Sequence, residues 1–209
     1  MARSPLRQAP AKLLLLPGAS GDTRFWGPVS RLLKHPAERA FLGWPGFGTT
    51  PPDPSVQGLD DLVARVLREL DQPCALLAQS MGGVIALRAA LQRPERVTHL
   101  VLAVTSGGID VGALGAEDWR PAFFQSNPTV PRWFGVPQPD LTQELRGVHI
   151  PTLLLWGDAD PISPVAVGAA LEQLLPHATL QVLRGGGHGL VHDDPAFAAR
   201  HIEAHLRVG

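Results

Sequence analysis

A serine, a histidine and a pair of aspartates, each in a loop of small residues, could together attack a carbonyl carbon. Ser80 stands in Ala78-Gln79-Ser80-Met81-Gly82-Gly83, behind the apolar run 75–78 and ahead of another apolar run, 84–91. Small-x-Ser-x-Gly between a strand and a helix is the form of a nucleophile elbow, a turn so tight that the residues two before and two after the serine must be small. Ala78 and Gly82 meet that demand. Ser80 would then project from a strand end over a helix N-terminus, where the Met81 amide and the positive helix end meet any negative charge that develops. Serine is also a favoured N-cap, so the pentapeptide alone leaves a mere capping role open.

A serine is a useful nucleophile only beside a base, and the base needs an orienting carboxylate. His188, in Gly185-Gly186-Gly187-His188-Gly189, has no packing reason to be there, and Asp158 and Asp160 lie in Trp156-Gly157-Asp158-Ala159-Asp160-Pro161. His192 reads as solvated or as a support for the site. His35, His99, His149 and His177 read as structural or exposed. Cys74 is the single cysteine, which excludes an intrachain disulfide and a cysteine metal cluster, and it reads as a small core residue.

These loops must be held by regular elements. Short apolar runs at 12–16, 39–44, 75–78, 97–104, 152–156 and 179–183 read as strands. Between them, helices are expected from Asp22 or Thr23 to about residue 34, and over 56–70, 81–92, 165–175 and 195–206. Such alternation implies an α/β fold: a doubly wound, mostly parallel sheet of six strands with helices on both faces. Ligands of such sheets bind beyond the carboxyl ends of the strands, where all three chemical loops fall.

One stretch, about 106–147, shows no clear strand. Trp119, Phe123, Phe124, Trp133 and Phe134 fall within it, five of the twelve aromatics in the chain. A long insertion with this much aromatic surface is expected to form a lid over the strand ends that supplies an apolar pocket wall, the alternative being a flap that packs only on the core.

At 209 residues the chain is expected to be a single domain. Hydrophobic residues at 44% and charged residues at 18% argue against disorder, and a net charge of −1 gives no reason to expect nucleic acid or an anionic membrane as partner. The apolar run 13–16 is too short for a signal peptide or a membrane span, so a soluble, cytoplasmic protein is expected, with a polar, loose tail over residues 1 to about 11.

In this order the motifs resemble the α/β-hydrolase fold superfamily, in a small, esterase-like form, over residues 12 to about 207. Ala-Gln-Ser-Met-Gly-Gly is similar to its elbow, Trp-Gly-Asp-Ala-Asp-Pro-Ile-Ser-Pro to its acid loop, and Gly-Gly-His188 with Pro195 beyond to its histidine loop. Leu-Leu-Leu-Leu-Pro-Gly-Ala-Ser-Gly resembles its oxyanion loop, and Gly-Trp-Pro-Gly-Phe-Gly (43–48) the turn after its next strand.

The resemblance implies a serine hydrolase with Ser80 as nucleophile, His188 as base and Asp160 as acid, Asp158 and Asp110 being fallbacks. It implies an oxyanion hole from the amides of Ala19 and Met81, and no metal or cofactor. Two departures stand out. The oxyanion loop commonly reads His-Gly, and here it reads Pro17-Gly18, so something else must hold the loop. Eleven N-terminal residues are too few for the two antiparallel strands that often open the family's sheet, so the strand order is expected to be 2-1-3-4-5-6. The implied substrate is a small, mainly apolar carboxylic ester. Thioesters, carbon–carbon bonds beside a ketone and cofactor-free perhydrolysis use the same machinery in relatives. A non-catalytic ligand-binding protein is the alternative from another class. Oligomeric state is left open.

Overall fold

The computed structural model describes residues 8–207, so most of the expected N-terminal tail lies outside the described residues. In chain order the elements are β1 (Lys12–Leu16), α1 (Gly27–Leu32), β2 (Glu38–Phe41), α2 (Leu59–Glu69), β3 (Cys74–Gln79) and α3 (Met81–Gln92), then β4 (Val97–Ala103), α4 (Arg120–Ser126) and α5 (Thr142–Leu145). They continue with β5 (Thr152–Gly157), α6 (Val165–Leu174), β6 (Ala178–Leu183), α7 (Leu190–Asp193) and α8 (Pro195–His205). The six strands form one sheet in the expected order, β2-β1-β3-β4-β5-β6, and every pairing is parallel where the sequence implies a mostly parallel sheet.

The sheet centre is the most apolar part of the chain. Every residue of β1, β3, β4 and β5 is buried, whereas the edge strands β2 and β6 are only half-buried or exposed. A fully buried leucine contributes about 1.5–3 kcal/mol, so central strands such as Cys-Ala-Leu-Leu-Ala-Gln anchor the sheet and can absorb strain at their ends. Cys74 is one of these buried residues, and burial pushes its thiol up to about 11, which makes it a core group and a poor nucleophile near neutral pH.

Most element boundaries fall within a residue or two of the sequence reading, and the larger departures have local causes. The first helix begins at Gly27, later than Asp22 or Thr23, because the Asp22 carboxylate binds the Arg24 amide and guanidinium at 2.9 Å and turns the chain there. Pro28 then sits in the first helical turn, where its missing N–H costs nothing. The second strand ends at Phe41, short of residue 44, and frees Trp44 to leave the sheet. The helix expected from 56 begins at Leu59, since Asp61 accepts the amides of Gln57 and Gly58 ahead of it. Short α7, absent from the sequence reading, follows the histidine loop.

Buried His99 and half-buried His205 couple the last helix to the sheet. His205 Nε2 donates to the Leu100 carbonyl at 3.1 Å, and its ring meets His99 edge-on at 5.1 Å. Burial, with the nearby His99, pulls His205 down from 6.5 to about 4. The unfolded chain therefore takes up a proton near pH 6.5 that the folded protein refuses until about pH 4. Stability is full above the upper value and is lost as pH falls through this window, by up to about 3 kcal/mol. Denaturant midpoints measured from pH 7 to 4 should show this fall, and His205→Gln should flatten it.

Candidate active site

Parallel pairing brings the carboxyl ends of β1, β3, β4, β5 and β6 to one edge of the sheet, Ala78 beside Leu16, Gln79 beside Ala103 and Gly157 beside Leu183. Ser80 leaves β3 there with φ 52° and ψ −121°, a left-handed conformation that costs a non-glycine residue on the order of 1–3 kcal/mol. Two main-chain bonds of 2.9 Å hold the turn, from Ser80 N to Ala103 O and from Gly83 N to Ser80 O. Gly82 is required by space: a Cβ on it would lie 2.6 Å from the Pro17 carbonyl oxygen. Although Ser80 occupies the N-cap position of α3, its side chain caps no amide. The hydroxyl turns to His188 instead.

His188 Nε2 lies 3.0 Å from Ser80 Oγ, and His188 Nδ1 lies 2.7 Å from Asp160 Oδ2. A carboxylate accepts only, so Nδ1 carries the hydrogen and Nε2 is left to accept from the serine hydroxyl. The Asp160 side chain is wholly buried, and its Oδ1 accepts the Ile162 amide at 2.9 Å. Asp158 is exposed and accepts the Gly185 amide, bracing the histidine loop. Asp110 is exposed and accepts the Gly112 amide at 3.0 Å. Of the three aspartates weighed from the sequence, Asp160 is thus the one bonded to the imidazole.

A family model described as an alpha/beta hydrolase family matches residues 13–144, and a second, described as the alpha/beta hydrolase fold, matches residues 116–195. The chain belongs to the alpha/beta hydrolase family. This hydrolase is 26% identical over 211 residues to the pimeloyl-acyl-carrier-protein methyl ester esterase of Legionella pneumophila (strain Paris), covering 84% of this chain and 87% of that one. Among solved structures it resembles an esterase from Exiguobacterium antarcticum (TM-score 0.77, 17% identity, 95% and 92% of the two chains). It is similar in fold to a bromoperoxidase from Bacillus anthracis (TM-score 0.77, 18% identity, 95% and 92%).

In this hydrolase the loop after β1 reaches the elbow. A Cβ on Gly18 would stand 3.0 Å from the Ser80 Cβ, and Ala19, Ser80 and Met81 all line one cavity. Where the family commonly carries a histidine, two buried indoles hold this loop. Trp26 Nε1 donates to the Leu16 carbonyl at 3.0 Å and Trp44 Nε1 to the Pro17 carbonyl at 2.9 Å. The sequence reading missed both. The only signal is that the two tryptophans lie in the segments on either side of β2, one of the two strands that β1 pairs with.

The cavity holds about 880 Å³, enough for a small organic molecule. Apolar side chains, among them Phe25, Met81, Val84, Val104, Ile109 and Ile162, form much of its wall with Ser80 and His188. Val104 is, with Ser80, one of two non-glycine residues at positive φ among the described residues, at 43°, and no sequence feature announces that strain. From the β4–β5 connection, Trp119, Phe123 and Phe134 line the cavity, whereas Phe124 and Trp133 do not. Phe124 packs behind Phe134, and Trp133 packs edge-on against buried Phe47 at 5.7 Å, anchoring the segment to the turn after β2. His192, expected to be solvated or supporting, is exposed and stacks on Phe25.

The charged residues of the lining are mostly acidic: it holds the exposed Asp110, Glu117, Asp118 and Asp140 and one guanidinium, Arg120, which is paired with Asp118 at 3.0 Å. Among the described residues, no group of three or more His, Cys, Asp or Glu could hold a metal ion, and no helix is long and apolar enough to cross a membrane.

The acid and histidine loops touch through backbone. A Cβ on Gly157 would lie 2.0 Å from the Gly186 carbonyl oxygen, and neither partner is a side chain that could swing aside. Gly157→Ala is expected to cost about 1–3 kcal/mol by overpacking, read as a lower denaturation midpoint. The displaced loop carries His188, so ester turnover at a temperature where the variant is folded should fall as well.

Proposed function

We propose that this hydrolase cleaves a small, largely apolar carboxylic ester by way of an acyl-enzyme, with a small molecule as its partner and no cofactor in the reaction. The observation that carries this reading is the unbroken hydrogen-bonded run Ser80–His188–Asp160 at 3.0 and 2.7 Å, opening onto an apolar cavity. His188 takes the hydroxyl proton as Ser80 Oγ bonds to the ester carbonyl carbon, and buried Asp160 holds and stabilises the imidazolium. The amides of Ala19 and Met81 receive the oxyanion, each worth roughly 3–4 kcal/mol in such a hole. Collapse expels the alcohol, which takes the proton from His188. A water that gives its proton to His188 then releases the acid and restores the serine.

The methyl ester esterase named among its relatives supports an ester over a thioester or a carbon–carbon bond. An aromatic wall supports an apolar acyl or alcohol group, and the acidic rim disfavours an anionic one.

A fluorophosphonate probe is expected to label the native protein at Ser80, and Ser80→Ala to abolish the label. Equal labelling of the variant would sink the reading. Nitrophenyl butyrate should be hydrolysed with a kcat/KM roughly tenfold above that of its carboxylate-bearing hemisuccinate analogue at low ionic strength, and added salt should narrow the gap. Saturable binding of apolar ligands without turnover would instead favour a receptor.

A further inference from the structure

The crevice between the elbow and its two flanking loops is filled by Gln79, the last residue of β3 and only 5% exposed. On one side its Nε2 donates to the main-chain carbonyl of His188 at 3.2 Å. On the other, its Oε1 lies against the loop after β1, so close that a Cβ on Gly18 would stand 2.2 Å from it. One carboxamide therefore touches the base loop and the oxyanion loop while being covalently joined to the nucleophile.

The loop that carries His188 needs such a contact. Glycines at 185, 186, 187 and 189 give it few side chains to pack and much conformational entropy to lose on ordering. Of the two ring contacts of His188, the one to Ser80 Oγ cannot hold it through a reaction cycle, because Nε2 must part from Oγ and serve the leaving group and then water, which leaves Asp160 alone on the ring. The main-chain carbonyl takes no part in those exchanges, so a bond to it can persist while the ring changes partners.

We propose that Gln79 is a positioning residue: it anchors the His188 backbone so that the imidazole stays aligned between Asp160 and the reacting atoms. The assignment rests on the hydrolytic reading above. Gln79 itself supplies no reacting atom.

Gln79→Met keeps the side-chain length and removes the donor. Gln79→Glu keeps the shape and sets an acceptor against the carbonyl. With kcat expressed per serine titrated by the fluorophosphonate probe, Gln79→Met should turn over a neutral nitrophenyl ester about 10- to 100-fold more slowly, the scale on which small misplacements of catalytic groups act. Gln79→Glu should be at least as slow at alkaline pH, where its carboxylate is ionised and can only accept. Gln79 also lines the cavity, so KM can shift, but by less than kcat in both, since the bond that is lost acts on the His188 backbone.

A kcat per titrated serine within twofold of the parent in both variants would overturn the assignment, as would a rise in KM at unchanged kcat. Should Gln79→Met not fold, isosteric Gln79→Glu carries the same comparison. A parent protein that neither labels nor turns over esters would overturn the hydrolytic reading and this assignment together. An active parent with unimpaired variants would overturn this assignment alone.

Discussion

Ser80→Ala and His188→Ala are each expected to lower kcat on a neutral nitrophenyl ester by roughly 10⁴- to 10⁶-fold, and the double variant should be no slower than the worse single one. The geometry gives the reason. The serine hydroxyl at 3.0 Å is the hydrogen-bond partner of Nε2, and the imidazole is the group placed to remove the hydroxyl proton. Without the base, the hydroxyl stays protonated and attacks too slowly to matter. Without the hydroxyl, the base would have nothing to activate except water. Removing either breaks the same step, so the losses do not add. Residual catalysis would come from the cavity and the amides of Ala19 and Met81, which neither substitution removes. Rates of the parent, both single variants and the double variant decide the matter, and additive losses would mean that the two residues act in separate steps.

The parts legible in the sequence share a local cause. Gly82 must be glycine because a carbonyl lies where its Cβ would be, and that demand is written two residues from the serine. The continuous apolar runs of the central strands state both their burial and the parallel pairing that lines up their carboxyl ends. Asp160 and His188 are conspicuous because polar residues in glycine-bounded turns have no packing role.

What stayed illegible depends on contacts between residues far apart in the chain. Trp26 and Trp44 read as bulky core residues, and only folding shows their indoles on the carbonyls of Leu16 and Pro17. Gln79 sits in the variable position of the elbow, yet its carboxamide bonds to a residue 109 positions away. The five aromatics of 119–134 look equivalent in sequence, but only three reach the cavity, because Phe47 captures Trp133 and Phe124 packs behind its neighbours. Asp158 and Asp160 differ by two positions, and the choice between them turns on which carboxylate faces inward.

That choice makes the second large prediction. Asp160→Asn is expected to lower kcat by about 10⁴-fold, or roughly 5 kcal/mol of transition-state stabilisation, while leaving the fold intact. The asparagine fits the same space, and its oxygen can still accept the Ile162 amide that Oδ1 accepts now. Its amide nitrogen would then face His188 Nδ1 at the 2.7 Å contact and donate to it. A ring that accepts at Nδ1 carries its hydrogen on Nε2, where it can no longer take a proton from Ser80. The imidazolium that forms as Ser80 attacks would also lose its anionic neighbour. Thermal stability should hold or rise, because a carboxylate with no solvent exposure is costlier to bury than an amide, even when it is hydrogen-bonded as Asp160 is. Asp158→Asn and Asp110→Asn touch only exposed loop carboxylates, so each should stay within about tenfold of the parent rate, since surface changes away from buried networks have small effects. Measuring kcat and melting temperature for the three variants side by side tests the assignment. A large loss at Asp158 or Asp110 with little at Asp160 would move the acid to the other loop position.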